Sequence, residues 1–213
     1  MKAIVLGGSK GIGKAIADSL SSIGCDVIST SRKDIDTSNL SSVKRFIKKH
    51  KQTDILVLNT GGPPPKQFHD VTEKEWQKYH NQLFLGFCLL LQKLKVRDGG
   101  YVFVITSSVI REPNPILVIS SAYRLAFTAV FKLASKELAA KKISCINIAP
   151  GLINTDRLRD LGNADDLARS LPMKRLGEPK EIGNFIKSIV ENKIKYLSGV
   201  TINFDGANSS FVL

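Results

Sequence analysis

The chain has 213 residues and a formal net charge of +12, from 31 Lys and Arg against 19 Asp and Glu. Hydrophobic residues make up 43% and charged residues 23%, which is typical of a soluble globular protein and excludes a disordered or fibrous chain. The longest apolar run (84–91) is far shorter than a membrane span, and the first (3–6) is too short for a signal peptide, so we expect one cytoplasmic domain over residues 1–213 without a membrane partner.

Strand-like and helix-like segments alternate along the chain. Apolar runs predict strands over 2–7, 26–31, 54–59, 101–108, 143–149 and 199–205. Helical periodicity predicts helices over 10–24, 39–50, 72–95, 117–140 and 179–192, and Thr72 and Glu75 form a capping-box pattern at the start of the third. Apolar strands separated by helices indicate an α/β protein, in which a parallel sheet is covered on both faces.

The first predicted strand runs into a glycine-rich turn, GGSKGIG, which opens the first helix. Glycines let the backbone turn sharply and let a pyrophosphate approach the helix N-terminus, where N–H groups and the helix dipole favour an anion. The alternative is a tight turn without a ligand. We predict cofactor contacts from Gly7, Ser9, Lys10, Gly11, Ile12 and Gly13.

The spacing of these glycines, GxxxGxG, resembles the short-chain dehydrogenase/reductase family. Further segments follow in the family's order: NTGG (59–62), NIAPG (147–151), PMKRLGEPKEI (172–182) and YLSGVTINFDGA (196–207). GGPPP (61–65) and REPNP (111–115) resemble a subgroup similar to 3-oxoacyl-ACP reductases. The resemblance implies a single Rossmann-type doubly wound parallel sheet in the order 3-2-1-4-5-6-7. It also implies cofactor contacts from Asn59, Gly61, Pro150, Gly151, Ile153 and Thr155.

The chain is shorter than the usual family member after its second predicted strand, where one crossover helix is missing. The remnant Asp34-Ile35-Asp36 is expected to meet adenine there, with Asp36 as the predicted cofactor contact. The strand tip carries Ser31, Arg32 and Lys33 but no acid before Asp34. A carboxylate at this tip would bind the ribose 2′-hydroxyl of NAD, whereas a cation accommodates the 2′-phosphate of NADP. We therefore predict NADP(H) in preference to NAD(H), the alternative being that Arg32 is only a solvated loop residue.

The resemblance further implies a catalytic tetrad of Asn, Ser, Tyr and Lys. Its serine falls on Ser107, a better candidate than Ser108 because it stands 13 positions before Ser120. The tyrosine and lysine positions hold Ser120 and Arg124, and the asparagine position holds Leu83. A serine hydroxyl is a much weaker acid than tyrosine, and Arg124 stays protonated and cannot pass a proton along. The candidate catalytic residues are Ser107, Ser120 and Arg124.

Other side chains are weaker candidates for a proton donor. Tyr123 is turned by about 60° from Ser120 on the helix and is expected to pack in the core or at a subunit contact. Glu112 lies in the loop after Ser107, where a carboxyl could act, although a charged loop residue is the ordinary interpretation. His69 and His80 are also weak candidates for the proton donor.

Three hypotheses about function follow. The first is an NADP(H)-dependent oxidoreductase for a small carbonyl or alcohol substrate, with a 3-oxoacyl-ACP-like compound as one candidate. The second is a non-catalytic dinucleotide binder that acts as a sensor or structural subunit. A nucleic-acid-binding protein is the third, but the basic run KRFIKKHK (44–51) fits an amphipathic helix and no recognition motif accompanies it, so we expect no nucleic-acid partner.

Two long predicted helices and three cysteines bear on assembly and on metal binding. The helices 72–95 and 117–140 carry more apolar surface than one face needs, and the family resemblance implies a homo-oligomer, a dimer or tetramer, that packs through them. Cys25, Cys88 and Cys145 are widely spaced, so we expect free thiols and no metal.

Overall fold

The computed structural model describes residues 1–160 and 162–211, except the side chains of residues 159 and 160. Its centre is a six-stranded parallel sheet in the order β2-β1-β3-β4-β5-β6. The strands are β1 (Lys2–Val5), β2 (Asp26–Ser29), β3 (Gln52–Leu58), β4 (Lys95–Ile105), β5 (Ser144–Pro150) and β6 (Val200–Phe204).

Seven α-helices are found in the described residues. A π-helical segment, Asn81–Leu85, joins α3 to α4 into one continuous helical element with a wide turn in its middle. The helix predicted over 72–95 ends at Lys93, because Lys95 already belongs to β4. The helices are α1 (Gly11–Ser21), α2 (Leu40–Lys49), α3 (Glu73–His80), α4 (Gly86–Lys93), α5 (Val118–Ala139), α6 (Ala164–Ser170) and α7 (Pro179–Glu191).

The helices cover both faces of the sheet. On one face, α1 and α7 bury Ile16 and Ile186 against the strands. On the other, α2, α4 and α5 bury Phe46, Phe87 and Phe127. The sheet is apolar on both sides because each strand packs between two helical layers. The doubly wound α/β architecture expected from the sequence is therefore confirmed.

The sheet is one strand short of the seven implied by the family resemblance. The observed order equals the expected one without its outermost strand, and β2 forms the edge of the sheet. The connection from β2 to α2 spans only residues 30–39. A crossover to another parallel strand needs a dozen or more residues, so this connection is too short to build one.

Local boundaries follow the predictions with two differences. The capping box is confirmed, because the Glu75 amide donates to Thr72 Oγ1 (3.3 Å) and the Thr72 amide donates to Glu75 Oε2 (3.0 Å). The strand predicted at 101–108 begins earlier, since Lys95 already pairs with Gln52. Helix α6 was not predicted.

Candidate functional site

The main cleft lies where the direction of chain winding reverses. Strand β1 has β2 on one side and β3 on the other, and ligands in such sheets bind beyond the carboxyl ends of the strands at this point. The cleft has a volume of about 850 Å³. Eleven of the fifteen predicted cofactor residues line it: Gly7, Ser9, Lys10, Gly11, Ile12, Ser31, Arg32, Asp36, Asn59, Gly61 and Thr155. Gly13, Pro150, Gly151 and Ile153 do not line it.

The glycine turn has the backbone that a dinucleotide requires. Gly7 and Gly11 adopt left-handed conformations with φ of +59° and +55°. A Cβ on Gly13 would lie 2.1 Å from the Gly7 carbonyl oxygen, so only glycine lets α1 pack this closely on the turn. No side chain caps α1, whose N-cap is Lys10. The first-turn N–H groups and the helix dipole therefore favour a pyrophosphate here.

At the tip of β2, the acids are already engaged by neighbouring groups. Asp34 accepts hydrogen bonds from the amide and hydroxyl of Ser31, which lower the pKa of its carboxyl. Asp36 accepts from the Ser38 amide and hydroxyl and from Arg32 Nε at 3.0 Å. Burial alone would raise the pKa of Asp36, but these hydrogen bonds outweigh it and lower the pKa. The Arg32 side chain is 71% exposed, and its bond to Asp36 uses only Nε.

The loop that follows β3 is held by donors from three different elements. Arg124 Nη2 donates to the Thr60 carbonyl (3.3 Å), and Gln82 Nε2 donates to the Gly61 carbonyl (2.6 Å). Arg157 donates through Nη1 to the Gly62 carbonyl (2.8 Å) and through Nη2 to the Pro63 carbonyl. Four successive carbonyls are thus bound by side chains. Sequence reasoning missed Gln82 and Arg157, since no local pattern marks them.

Arg124 is buried behind this loop and does not line the cleft. Its side chain is 7% exposed, and it donates through Nε to Ser120 Oγ (3.1 Å) and through Nη1 to the Ile105 carbonyl (2.9 Å). Burial lowers the pKa of Arg124 to about 10, and the charge of Arg157 contributes. The guanidinium is therefore still cationic at neutral pH, and it bridges the end of β4 and the loop that follows β3.

The serine candidate stands where β4 ends. Ser107 is half-buried and caps a short 3-10 helix, Ser108–Ile110, by accepting from the Val109 amide at 3.5 Å. Its neighbour Thr106 is buried and donates to Asn147 Oδ1 on β5 at 2.7 Å. Ser107 is thus attached to a rigid strand end and keeps a hydroxyl proton to donate.

The alternative proton donors are occupied elsewhere. Tyr123 makes edge-on ring contacts with Trp76 (5.7 Å between centroids) and His80 (5.5 Å), in the small apolar cluster around α3. Glu112 Oε1 accepts from the amides of Ser210 (2.6 Å) and Phe211 (3.1 Å). Glu112 therefore fastens the C-terminal segment to its loop.

Two general properties of the described residues bear on ligands. No three His, Cys, Asp or Glu side chains among them are grouped so that they could hold a metal ion. None of the helices in this part of the chain is long and apolar enough to cross a membrane.

Comparison with known proteins gives the family. The family model described as enoyl-(acyl carrier protein) reductase matches residues 34–207. The chain belongs to the short-chain dehydrogenase/reductase family. Members of this family are oxidoreductases that use a nicotinamide dinucleotide, and the glycine turn, the uncapped α1 and the open cleft fit such a cofactor.

Relatives in the short-chain dehydrogenase/reductase family cover nearly the whole chain. A 3-oxoacyl-[acyl-carrier-protein] reductase from Synechocystis is 28% identical over 98% of this chain and 97% of its own length. The reductase FabG of Aggregatibacter actinomycetemcomitans is 25% identical over 95% and 97%. A short-chain dehydrogenase/reductase from Serratia marcescens has the same fold, with a TM-score of 0.85 at 23% identity and 98% coverage of both chains.

Leu83, Ser120 and Arg124 are the residues that the family resemblance assigned to the asparagine, tyrosine and lysine positions of the tetrad. Leu83 lies in the π-helical segment and is buried, so it offers no hydrogen bond there. Ser120 and Arg124 are bonded to each other on one face of α5. That Ser120 and Arg124 take the places of the family's tyrosine and lysine stays a prediction.

Proposed function

We propose that this protein, acting as one dinucleotide-binding domain over residues 1–213, is an NADP(H)-dependent oxidoreductase that interconverts a carbonyl and an alcohol. The observation that carries the proposal is the cleft itself, in which the glycine turn and the basic tip of β2 lie side by side. Named relatives that are 3-oxoacyl-[acyl-carrier-protein] reductases support a 3-oxoacyl-like substrate.

The preference for NADP(H) is argued from Arg32. Its Nε is paired with Asp36, and its exposed guanidinium reaches the cleft, where it would hold the 2′-phosphate. Ser31 and Lys10 line the same end, and the two nearby carboxylates are hydrogen-bonded within their own loop. A 2′-hydroxyl would thus find no free acid of the kind that NAD-specific sites provide.

In the proposed reaction, a bound nicotinamide supplies or accepts the hydride. Ser107 donates a hydrogen bond to the substrate carbonyl oxygen from the end of β4. Ser120 is buried and accepts from Arg124 Nε, so its own hydroxyl proton remains available for a hydrogen bond, and the proton that completes the alcohol would come from water. Neither serine is an efficient acid near neutral pH, and losing general acid catalysis costs roughly 10²–10⁴ in rate. We therefore expect slow turnover.

The second candidate is a dinucleotide-binding protein without catalysis. It is favoured by Arg124, because all three nitrogens of its guanidinium donate to groups of the protein itself. These groups are the Ser120 hydroxyl and two backbone carbonyls, so the hydrogen bonds do not face an open ligand site. Two measurements separate the candidates. Calorimetric titration gives the affinities for NADPH and NADH, and NADPH oxidation with a panel of carbonyl compounds shows whether turnover occurs. Tight NADPH binding without turnover on any carbonyl would select the second.

We also propose that the chain acts as a homo-oligomer. Helix α5 exposes Leu125 (48%) and Leu133 (63%), which lie eight residues apart and therefore on one helix face. Apolar side chains in such a row are costly in water and are covered when two copies pair.

A further inference from the structure

Lysines are concentrated at the amino edge of the sheet, where all six strands begin and which lies opposite the cleft. Among the described residues, five connections lead from a helix into a strand at this edge. Counting the last helix residue and the first strand residue, the connections into β3, β4, β5 and β6 carry two lysines each, whereas all five together hold only two acids, Asp26 and Glu191. The lysines before β6 are Lys193 and Lys195, and the others, all exposed, are Lys49, Lys51, Lys93, Lys95, Lys141 and Lys142.

Hydrogen bonds hold these four connections side by side. The Lys95 amide donates to the Lys51 carbonyl (3.2 Å), and the Gly99 amide of β4 donates to the Lys141 carbonyl (2.8 Å). Lys195 Nζ donates to the Gly99 carbonyl from the connection into β6. The eight lysines therefore lie on one continuous surface, which we call the basic edge.

Helix dipoles account for only part of this charge. A cation in the last turn of a helix is stabilised by the C-terminal carbonyls, which applies to Lys49 and Lys93, the last residues of α2 and α4. The other lysines of the basic edge lie beyond the helix ends. Burial lowers the pKa of His50, and the nearby charges of Lys49 and Lys2 lower it further, so cations at this edge oppose one another. An anionic partner would relieve that repulsion.

The connection into β6 also places apolar side chains among these cations. Lys195 turns inward, where its ammonium also binds the Gly100 carbonyl (3.3 Å), whereas its neighbour Ile194 is 41% exposed and Tyr196 is fully exposed. An acidic polymer in solution would pair with the lysines and leave the aliphatic side chain in water. An anionic bilayer pairs with the lysines and also accepts an aliphatic and an aromatic side chain at the level of its headgroups.

We propose that the basic edge binds the surface of an anionic membrane, with Ile194 and Tyr196 entering the headgroup region and the lysine ammonium groups pairing with lipid phosphates. This inference goes beyond the proposed function and does not depend on it. The expectation of no membrane partner rested on the lack of a spanning segment, but a protein bound at the surface needs none. Because the cleft lies at the opposite edge of the sheet, it stays open to solvent in the bound protein.

The test is sedimentation of the full chain with lipid vesicles at about 0.1 M salt. Phosphatidylcholine vesicles that contain about 30% phosphatidylglycerol should bind at least about tenfold more tightly than pure phosphatidylcholine vesicles. Lys141→Glu with Lys142→Glu should weaken this binding at least about tenfold, because two attractions become repulsions. Lys74→Glu with Lys180→Glu is the matched control, because it makes the same charge change in the first turns of α3 and α7, at the opposite edge, and should have little effect.

A second pair of changes separates a membrane from other anions. Ile194→Ser with Tyr196→Ser keeps every charge and should weaken binding to the anionic vesicles at least about fivefold, because less apolar surface is buried. Far-UV circular dichroism checks that each variant is folded. Absence of binding to the anionic vesicles would overturn the proposal. Vesicle binding that survives the two serine changes undiminished, or tighter binding to a duplex oligonucleotide at the same salt, would show recognition by charge alone and overturn the membrane assignment.

Discussion

Arg124 Nε donates to Ser120 Oγ over 3.1 Å, and the two residues lie one helical turn apart on α5. The same guanidinium donates to the carbonyl of Ile105, which ends β4, and to the carbonyl of Thr60 in the loop after β3. This buried side chain therefore holds a strand end and the neighbouring loop together.

The first prediction concerns stability. Arg124→Met should lower the free energy of unfolding by about 2 to 4 kcal/mol, because hydrogen bonds from a buried charged donor to two carbonyls and a hydroxyl are lost. Urea denaturation measures the change. Arg97→Met is the control, since its ion pair with Asp54 is partly exposed and should contribute less than about 1 kcal/mol. Equal losses in the two variants would contradict a bridging role for Arg124.

A second prediction concerns cofactor choice. Arg32→Asp should weaken NADPH binding by about 10- to 100-fold and leave NADH binding much less affected, because the lost charge-assisted bonds are to the 2′-phosphate. Calorimetric titration with both cofactors checks this. Lys44→Asp makes the same charge change on the exposed side of α2, outside the cleft, and should affect both cofactors little. Equal weakening of NADPH and NADH by Arg32→Asp would count against the preference.

The third prediction concerns the altered tetrad. Ser120→Tyr with Arg124→Lys should raise carbonyl reductase activity, by as much as roughly 10²–10⁴ if the remaining site is intact. Ser120→Tyr alone should lose stability and gain no activity, because Ser120 is buried and Arg124 Nε already lies against its oxygen. The two changes are therefore expected to be strongly non-additive. Steady-state NADPH oxidation and thermal unfolding measure both effects. An inactive wild type and an inactive double variant would favour the non-catalytic candidate.

The last prediction concerns assembly. At micromolar concentration, light scattering should find a dimer or tetramer, and Leu133→Glu should shift it to monomer because a charge would be buried in the helix pair. Ile194→Glu changes another exposed apolar residue, 41% exposed against 63% for Leu133, away from α5 and should leave the oligomer intact. A wild-type monomer at this concentration would refute the proposal.

Much of the fold could be predicted from local patterns. The strands are apolar runs because helices cover both faces of the sheet. Helices α1, α2, α5 and α7 were predicted with ends within a few residues of those observed. Helix α6 was missed because it is short and, in the described residues, buries no side chain, so it has no apolar stripe to mark it. The loss of a seventh strand was not predicted, because the shortened connection after the second strand was interpreted only as a missing crossover helix.

The sequence alone determined the family, the glycine turn and the basic tip of β2, because these depend on residues that are close together in the chain and on the conformations that glycine alone adopts easily. The surroundings of Arg124 were decided by tertiary structure. Its partners Thr60 and Ile105 come from distant segments, and only the packing of α5 on the sheet brings them within hydrogen-bonding distance. For the same reason Arg157 and Gln82 could not be recognised beforehand, since the carbonyls they bind lie in another element.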